Sequence, residues 1–179
     1  MAVTYWHMFK KKITTLQVAI EIMTISREKS DAMLSGLEEE LVKVEGQFRI
    51  LDRNRAILDA TLVIIAGELR IAKNLLKQNI SDAVYHDVID SLDDDATGRY
   101  CKQEILNYTN AYDKALSQGG NPMSGVSSWF LYRLTGNNED MFTTAGVLDM
   151  VPDLIAMTYL VDSMSVVKNI SSKYKIQRA

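Results

Sequence analysis

Apolar residues recur along the first half of the chain with a period of three and four. From Leu34 the steps fall on Leu37, Leu41, Val44, Phe48, Leu51, Arg55, Leu58, Leu62, Ile65, Leu69, Ala72 and Leu76. Backwards they fall on Ser30, Arg27, Met23, Ile20, Leu16, Ile13, Phe9 and Trp6. Only Arg27, Ser30 and Arg55 interrupt a phase that holds for about ten heptads, the signature of a coiled-coil-like seam. Read as one helix, this stretch is about 105 Å long at 1.5 Å per residue. A break is written in as well: Ser35 and Glu38 have capping-box spacing, with Gly36 beside them. A break there gives a hairpin of 8–33 on 35–80. Because a turn has no reason to preserve heptad phase, the pattern favours one long helix over 8–80, bent near 27–36.

A second stripe lies behind the seam. Ile50, Ile57, Ile64 and Ile71 recur every seven residues, with Ala56, Ala60, Val63 and Gly67 between them. A helix apolar on two sides lies inside a bundle or between subunits. The sequence therefore marks Ile50, Ile57, Ile64 and Ile71 as a candidate interface, against the alternative of an ordinary intramolecular bundle. Arg55, at a seam position between Leu51 and Leu58, is expected to find an acidic partner on another helix or to set register between copies.

Beyond residue 80 the pattern shortens. Ser81 reads as an N-cap ahead of Ala83, Val84, Val88, Ile89 and Leu92. Asp93, Asp94 and Asp95 stop that helix, and another runs over about 98–117, so 81–117 holds two short helices. Residues 118–143 form a Gly-rich loop enclosing a short aromatic helix (Trp129, Phe130, Tyr132) that plugs the core. The last helix, within 144–176, carries Val147, Val151, Leu154, Met157, Val161, Met164, Val167 and Ile170 as its stripe. The expected fold is all-α: a single domain, an elongated helical bundle built on the very long N-terminal helix and a long C-terminal one, with short helices between.

Composition narrows the function. The chain has 179 residues, is 47% apolar and 24% charged, and so can bury a core. One cysteine, Cys101, and two histidines, His7 and His86, exclude an internal disulfide framework and any ordinary zinc site. The formal charge of −3 is unevenly placed: residues 1–30 carry a net +3 and residues 168–179 a net +4, leaving −10 in between. Basic ends on an acidic body fit head-to-tail contacts between subunits, and equally fit cations that offset helix dipoles. No Lys/Arg stripe interleaved with aromatics indicates nucleic acid. The most apolar window, 145–167, contains Asp149, Asp153 and Asp162, which argues for a buried helix rather than a stable membrane span. No signal peptide is legible, so a cytoplasmic or virion location is expected.

One segment carries a chemical motif. Residues 93–104 place Asp93, Asp95, Thr97, Gly98, the Arg99 carbonyl and Glu104 at positions one, three, five, six, seven and twelve. This resembles the EF-hand calcium loop, in which alternate side chains point inward and a bidentate glutamate closes the shell. The resemblance covers twelve residues and their flanks, lacks a paired second loop, and has Cys101 where an oxygen is usual. The same residues also suit a simpler role, with Asp95 or Thr97 capping the next helix. No nucleophile with a partnered base is evident and no enzyme activity is expected. The sequence points to a non-enzymatic structural or assembly subunit, such as a virion or filament component, that self-associates through its long helices as a homo-oligomer or larger assembly. The alternative is a calcium-responsive or partner-helix-binding adaptor. No cofactor is required apart from a possible calcium ion.

Overall fold

The fold is described by a computed structural model over residues 10–45, 50–117, 122–135 and 150–179. Among the described residues the chain is all-α apart from one small sheet. In order it forms β1 (Lys11–Thr14), α1 (Thr15–Glu45), α2 (Arg53–Leu75), α3 (Gln78–Asp90), α4 (Ala96–Ser117), α5 (Pro122–Thr135), α6 (Met150–Ser163), α7 (Val166–Lys173) and β2 (Tyr174–Gln177).

The single N-terminal helix expected from the heptads is not formed. The chain breaks between Glu45 and Arg53, and α2 folds back against α1. Asp52 starts the second arm. Its backbone is extended, and its carboxylate accepts the Arg55 N–H at 3.1 Å, an N-cap bond that starts α2. Leu51, a seam residue by spacing, is 69% exposed here. The hairpin expected as the alternative turned at the wrong place. Ser35 lies within α1, where its hydroxyl donates to the Asp31 carbonyl and accepts from Arg53. Gly36 beside it serves packing: a Cβ there would sit 2.6 Å from Cε1 of Tyr159 on α6.

The heptad phase survives the turn because both arms bury the same stripe. Leu34, Leu37 and Leu41 of α1 join Leu62, Ile65, Leu69 and Ala72 of α2 in one core. Helix α2 is the centre of that core. It packs against α1, α3, α4, α5 and α7, and every residue from Leu62 to Leu69 is buried. Burying eight consecutive positions removes both faces of the helix from water, the largest favourable term available to the fold.

Other boundaries also move. Ser81 does not cap α3; the helix starts at Gln78, and the Ser81 hydroxyl donates to the Gln78 carbonyl within it. The aromatic segment belongs to the fourteen-residue α5, which sinks Val126, Phe130, Leu131 and Leu134 into the core. The C-terminal helix is interrupted at Met164 and Ser165 and ends as a strand from Tyr174. The reason for the interruption is Glu68. Its buried carboxylate accepts the N–H groups of Val166 (2.6 Å) and Val167 (2.9 Å), so a new helix begins on it. Lys29 Nζ secures the same joint, donating to the Ser163 carbonyl and the Ser165 hydroxyl at 3.0 Å each.

The two ends of the described chain meet. Strands β1 and β2 pair in parallel, Lys11 opposite Tyr174, Lys12 opposite Lys175, Ile13 opposite Ile176 and Thr14 opposite Gln177. Ile13, Tyr174 and Ile176 pack on the core, which holds the sheet against the bundle.

Candidate protein-interaction surface

The residues singled out by the two-sided stripe are enclosed by the chain itself. Ile64 is fully buried and Ile50 nearly so; Ile57 and Ile71 are half-buried against the core. The helices covering α2 come from the same chain, and only Ile57 and Ile71 of the stripe keep partial exposure. Arg55 is exposed and finds its acid on its own helix: its Nε lies 3.8 Å from Asp59, while its Nη2 donates to the Tyr100 hydroxyl at 3.1 Å.

The calcium-loop residues are not brought together. Helix α4 already begins at Ala96, so Thr97 and Arg99 are in helical backbone rather than a ligating loop. Asp95 Oδ1 accepts the Gly98 N–H at 2.7 Å, the bond of an N-cap. Glycine at 98 is required by crowding, since a Cβ would lie 1.7 Å from the Asp93 carbonyl oxygen. Glu104 is buried two turns into α4, beside Arg133 and bonded by Asn107. Among the described residues no group of three or more His, Cys, Asp or Glu side chains could hold a metal ion.

Glu104 belongs instead to a charge network between α2, α4 and α5. The Tyr100 hydroxyl donates to Asp59 Oδ1 at 2.7 Å and accepts from Arg133 and Arg55. Arg133 lies 3.6 Å from Asp59 and 4.0 Å from Glu104. Both carboxylates are buried, and the guanidinium between them offsets the cost of taking them out of water. Burial, then the bond to Asp59, pushes the Tyr100 hydroxyl up to about 12, so it stays protonated and keeps donating. Burial likewise pushes the Cys101 thiol up, so the sulfur sits in the core as a thiol. The network fixes how three helices sit against each other. One sign of such buried acids was present in the sequence: Asp59 and Glu68 are the two charged residues in the stretch from Ala56 to Leu69, and each is buried with a dedicated partner.

The open surface lies at the terminal sheet. Parallel pairing gathers Lys10, Lys11, Lys12, Lys173, Lys175 and Arg178 at one place, with Lys168 on the adjoining α7. All but Lys10 are exposed, and none of the seven forms an ion pair with another described residue. Lys10 reaches across to the Ser171 carbonyl at 2.8 Å. The acids collect elsewhere. Helix α3 starts beside the sheet and, at thirteen residues, carries the chain about 20 Å away to its other end. There Asp93, Asp94 and Asp95 are exposed. Asp94 bonds Lys102 at 2.6 Å, which holds its carboxyl below the usual range. The basic sheet and the Asp93–Asp95 corner are thus the molecule's basic and acidic poles, joined by α3, along which Asp82, Asp87 and Asp90 approach Arg178. No helix among the described residues is long and apolar enough to cross a membrane. No protein-family model, curated protein or solved structure matches the chain.

Proposed function

We propose that the chain is a non-enzymatic assembly subunit whose copies join head to tail, the basic terminal sheet of one against the acidic α3–α4 corner of the next. The observation that carries this reading is the parallel β1–β2 pairing, which turns two separately basic chain ends into one unpaired cationic surface. The two contact patches are different, so the interface is heterologous and its repetition gives a ring or an open filament. The long helices are the rigid body between the contacts rather than the contact itself.

Charge-driven contact between exposed groups is screened within about 10 Å at 0.1 M salt and about 3 Å at 1 M. Light scattering over a concentration series should therefore show mass rising with concentration in dilute buffer and returning to that of one chain in about 1 M salt. A single-chain mass at every concentration in dilute buffer, or an assembly indifferent to salt, contradicts the reading.

A further inference from the structure

Strand β2 has one edge paired with β1 and another that pairs with no described strand. Beside that second edge runs a groove of about 570 Å³. Its placement follows from its lining. Five consecutive residues from Tyr174 to Arg178 contribute, whereas a cavity over one face of a strand would be lined by alternate residues. No β1 residue contributes, so the groove lies on the far side of β2. The rest of the lining comes mainly from the α2–α3 corner, where Leu75, Leu76 and Ile80 are apolar. Leu75 is 54% exposed, an unusual state for a leucine at a corner that could have been polar.

We infer that this groove is a strand-addition site for an extended peptide segment whose side chains alternate between apolar residues and carboxylates. A parallel-paired strand directs about half of its N–H and C=O groups outward, and an added strand would bond to them. Side chains of that strand on one face meet Leu75, Leu76 and Ile80. Those on the other face, and at the segment's ends, meet the groove's cations Lys77, Lys175 and Arg178. Four residues of β2 at about 3.3 Å each set the length of the paired segment at four or five residues.

Charge selects this occupant over a second copy of the same sheet. The outer strand of another copy brings Lys11 and Lys12 against Lys175, and like charges on facing strands repel. Charge also orients the segment. A neighbouring hollow shares Asn79 and Arg178 with the groove but is walled by Asp82, Asp87 and Asp90. Carboxylates of the partner therefore fall on the Lys77 and Lys175 side, not beyond Arg178. The inference does not depend on head-to-tail assembly, because a single copy of the chain carries the whole site.

The test is fluorescence anisotropy of the full chain with a labelled eight-residue peptide alternating valine and glutamate. Three control peptides accompany it: one with lysine for glutamate, one with alternate backbone amides methylated, and one of eight glutamates. Saturable binding by the first, with each control at least tenfold weaker, is the expected result. Leu75→Asp, at an exposed position and with helical circular dichroism unchanged, should weaken the first peptide at least tenfold. The double variant Lys77→Glu, Lys175→Glu should bind the lysine peptide better than the glutamate one. Equal binding by the octaglutamate peptide shows only a cationic patch and overturns the strand-addition site. So does equal binding by the methylated peptide, or no saturation at millimolar concentration. Light scattering of the unlabelled chain reports head-to-tail assembly separately, so neither result stands in for the other.

Discussion

Glu68 is the residue whose removal should most clearly expose how the C-terminal third is held. Its carboxylate is fully buried and satisfies two N–H groups at the start of α7, at 2.6 and 2.9 Å. Glu68→Ala deletes both bonds and leaves two donors without partners at a buried helix end. Bonds to a charged acceptor contribute about 1.5–3 kcal/mol each. Against this stands relief from burying a carboxylate, several kcal/mol before Lys29 and the amides offset it. The net loss is about 3 kcal/mol. For a chain of this size that lowers the melting midpoint by about 6–12 °C. Urea denaturation followed by helical circular dichroism measures it. A loss below about 0.5 kcal/mol would mean that the carboxylate is only tolerated there and that α7 starts for other reasons.

The same residue gives a pH signature. Burial pushes the Glu68 carboxyl above its ordinary value, opposed by the Val167 and Val166 amides and by the Lys29 ammonium. A folded-state pKa above the unfolded one means that the native state takes up the proton first as pH falls. Its contribution is then fully present below the ordinary glutamate value and is lost as pH rises through the raised one. The stability of wild type minus that of Glu68→Gln should therefore grow between neutral pH and the ordinary glutamate range. A difference that is flat or shrinks on acidification refutes the assignment.

Three further outcomes follow from the α4 start, its glycine and the buried network. Asp95→Ala should cost about 1 kcal/mol by loss of the cap to Gly98, equally with calcium and with a chelator, whereas a calcium-dependent difference in melting would restore the ligating-loop reading. Gly98→Ala should destabilise by about 2 kcal/mol in urea despite alanine's better helix propensity, because the obstructing atom is the Asp93 backbone carbonyl and cannot swing aside. Arg133→Met should cost about 3–5 kcal/mol, since it leaves Asp59 and Glu104 buried without their cation, and the added change of both acids to their amides should recover part of that loss.

Helix content and much of the core were legible because burial imposes the 3.6-residue period that the sequence displays. Leu34, Leu37, Leu41, Leu62, Ile65 and Leu69 are core residues as their spacing implies. The hairpin was not legible from that spacing, because an antiparallel pair of arms buries the same stripe that one continuous helix would. The second arm starts at Asp52, a lone capping acid that no periodicity weights. The second stripe of Ile50, Ile57, Ile64 and Ile71 marks a helix covered on two sides, but the pattern does not say whose helices do the covering. The terminal sheet was beyond sequence reading for a different reason. Each strand has four residues, β1 begins with two lysines, and the partners are about 160 positions apart. Only tertiary packing of Ile13 against Ile176 makes them strands. The charge asymmetry of the two ends was visible in the sequence; that the ends share one surface was not.

The central claim is that a basic pole meets an acidic pole on the next copy, and complementary charge reversal tests it most directly. One variant reverses the sheet, with Lys11, Lys12, Lys173, Lys175 and Arg178 each changed to Glu; the other reverses the corner, with Asp93→Lys and Asp94→Lys, sparing the cap at Asp95. All seven positions are exposed, so both variants should fold. Each alone carries two poles of like sign and should scatter light as a single chain in dilute buffer. Mixed in equal amounts, the acidic sheet of the first can meet the basic corner of the second, and the wild-type poles that remain can meet each other. Recovery of assembly in the mixture alone is the predicted result. A mixture that stays at single-chain mass while wild type assembles, or variants that assemble as well as wild type on their own, would contradict head-to-tail joining through these poles.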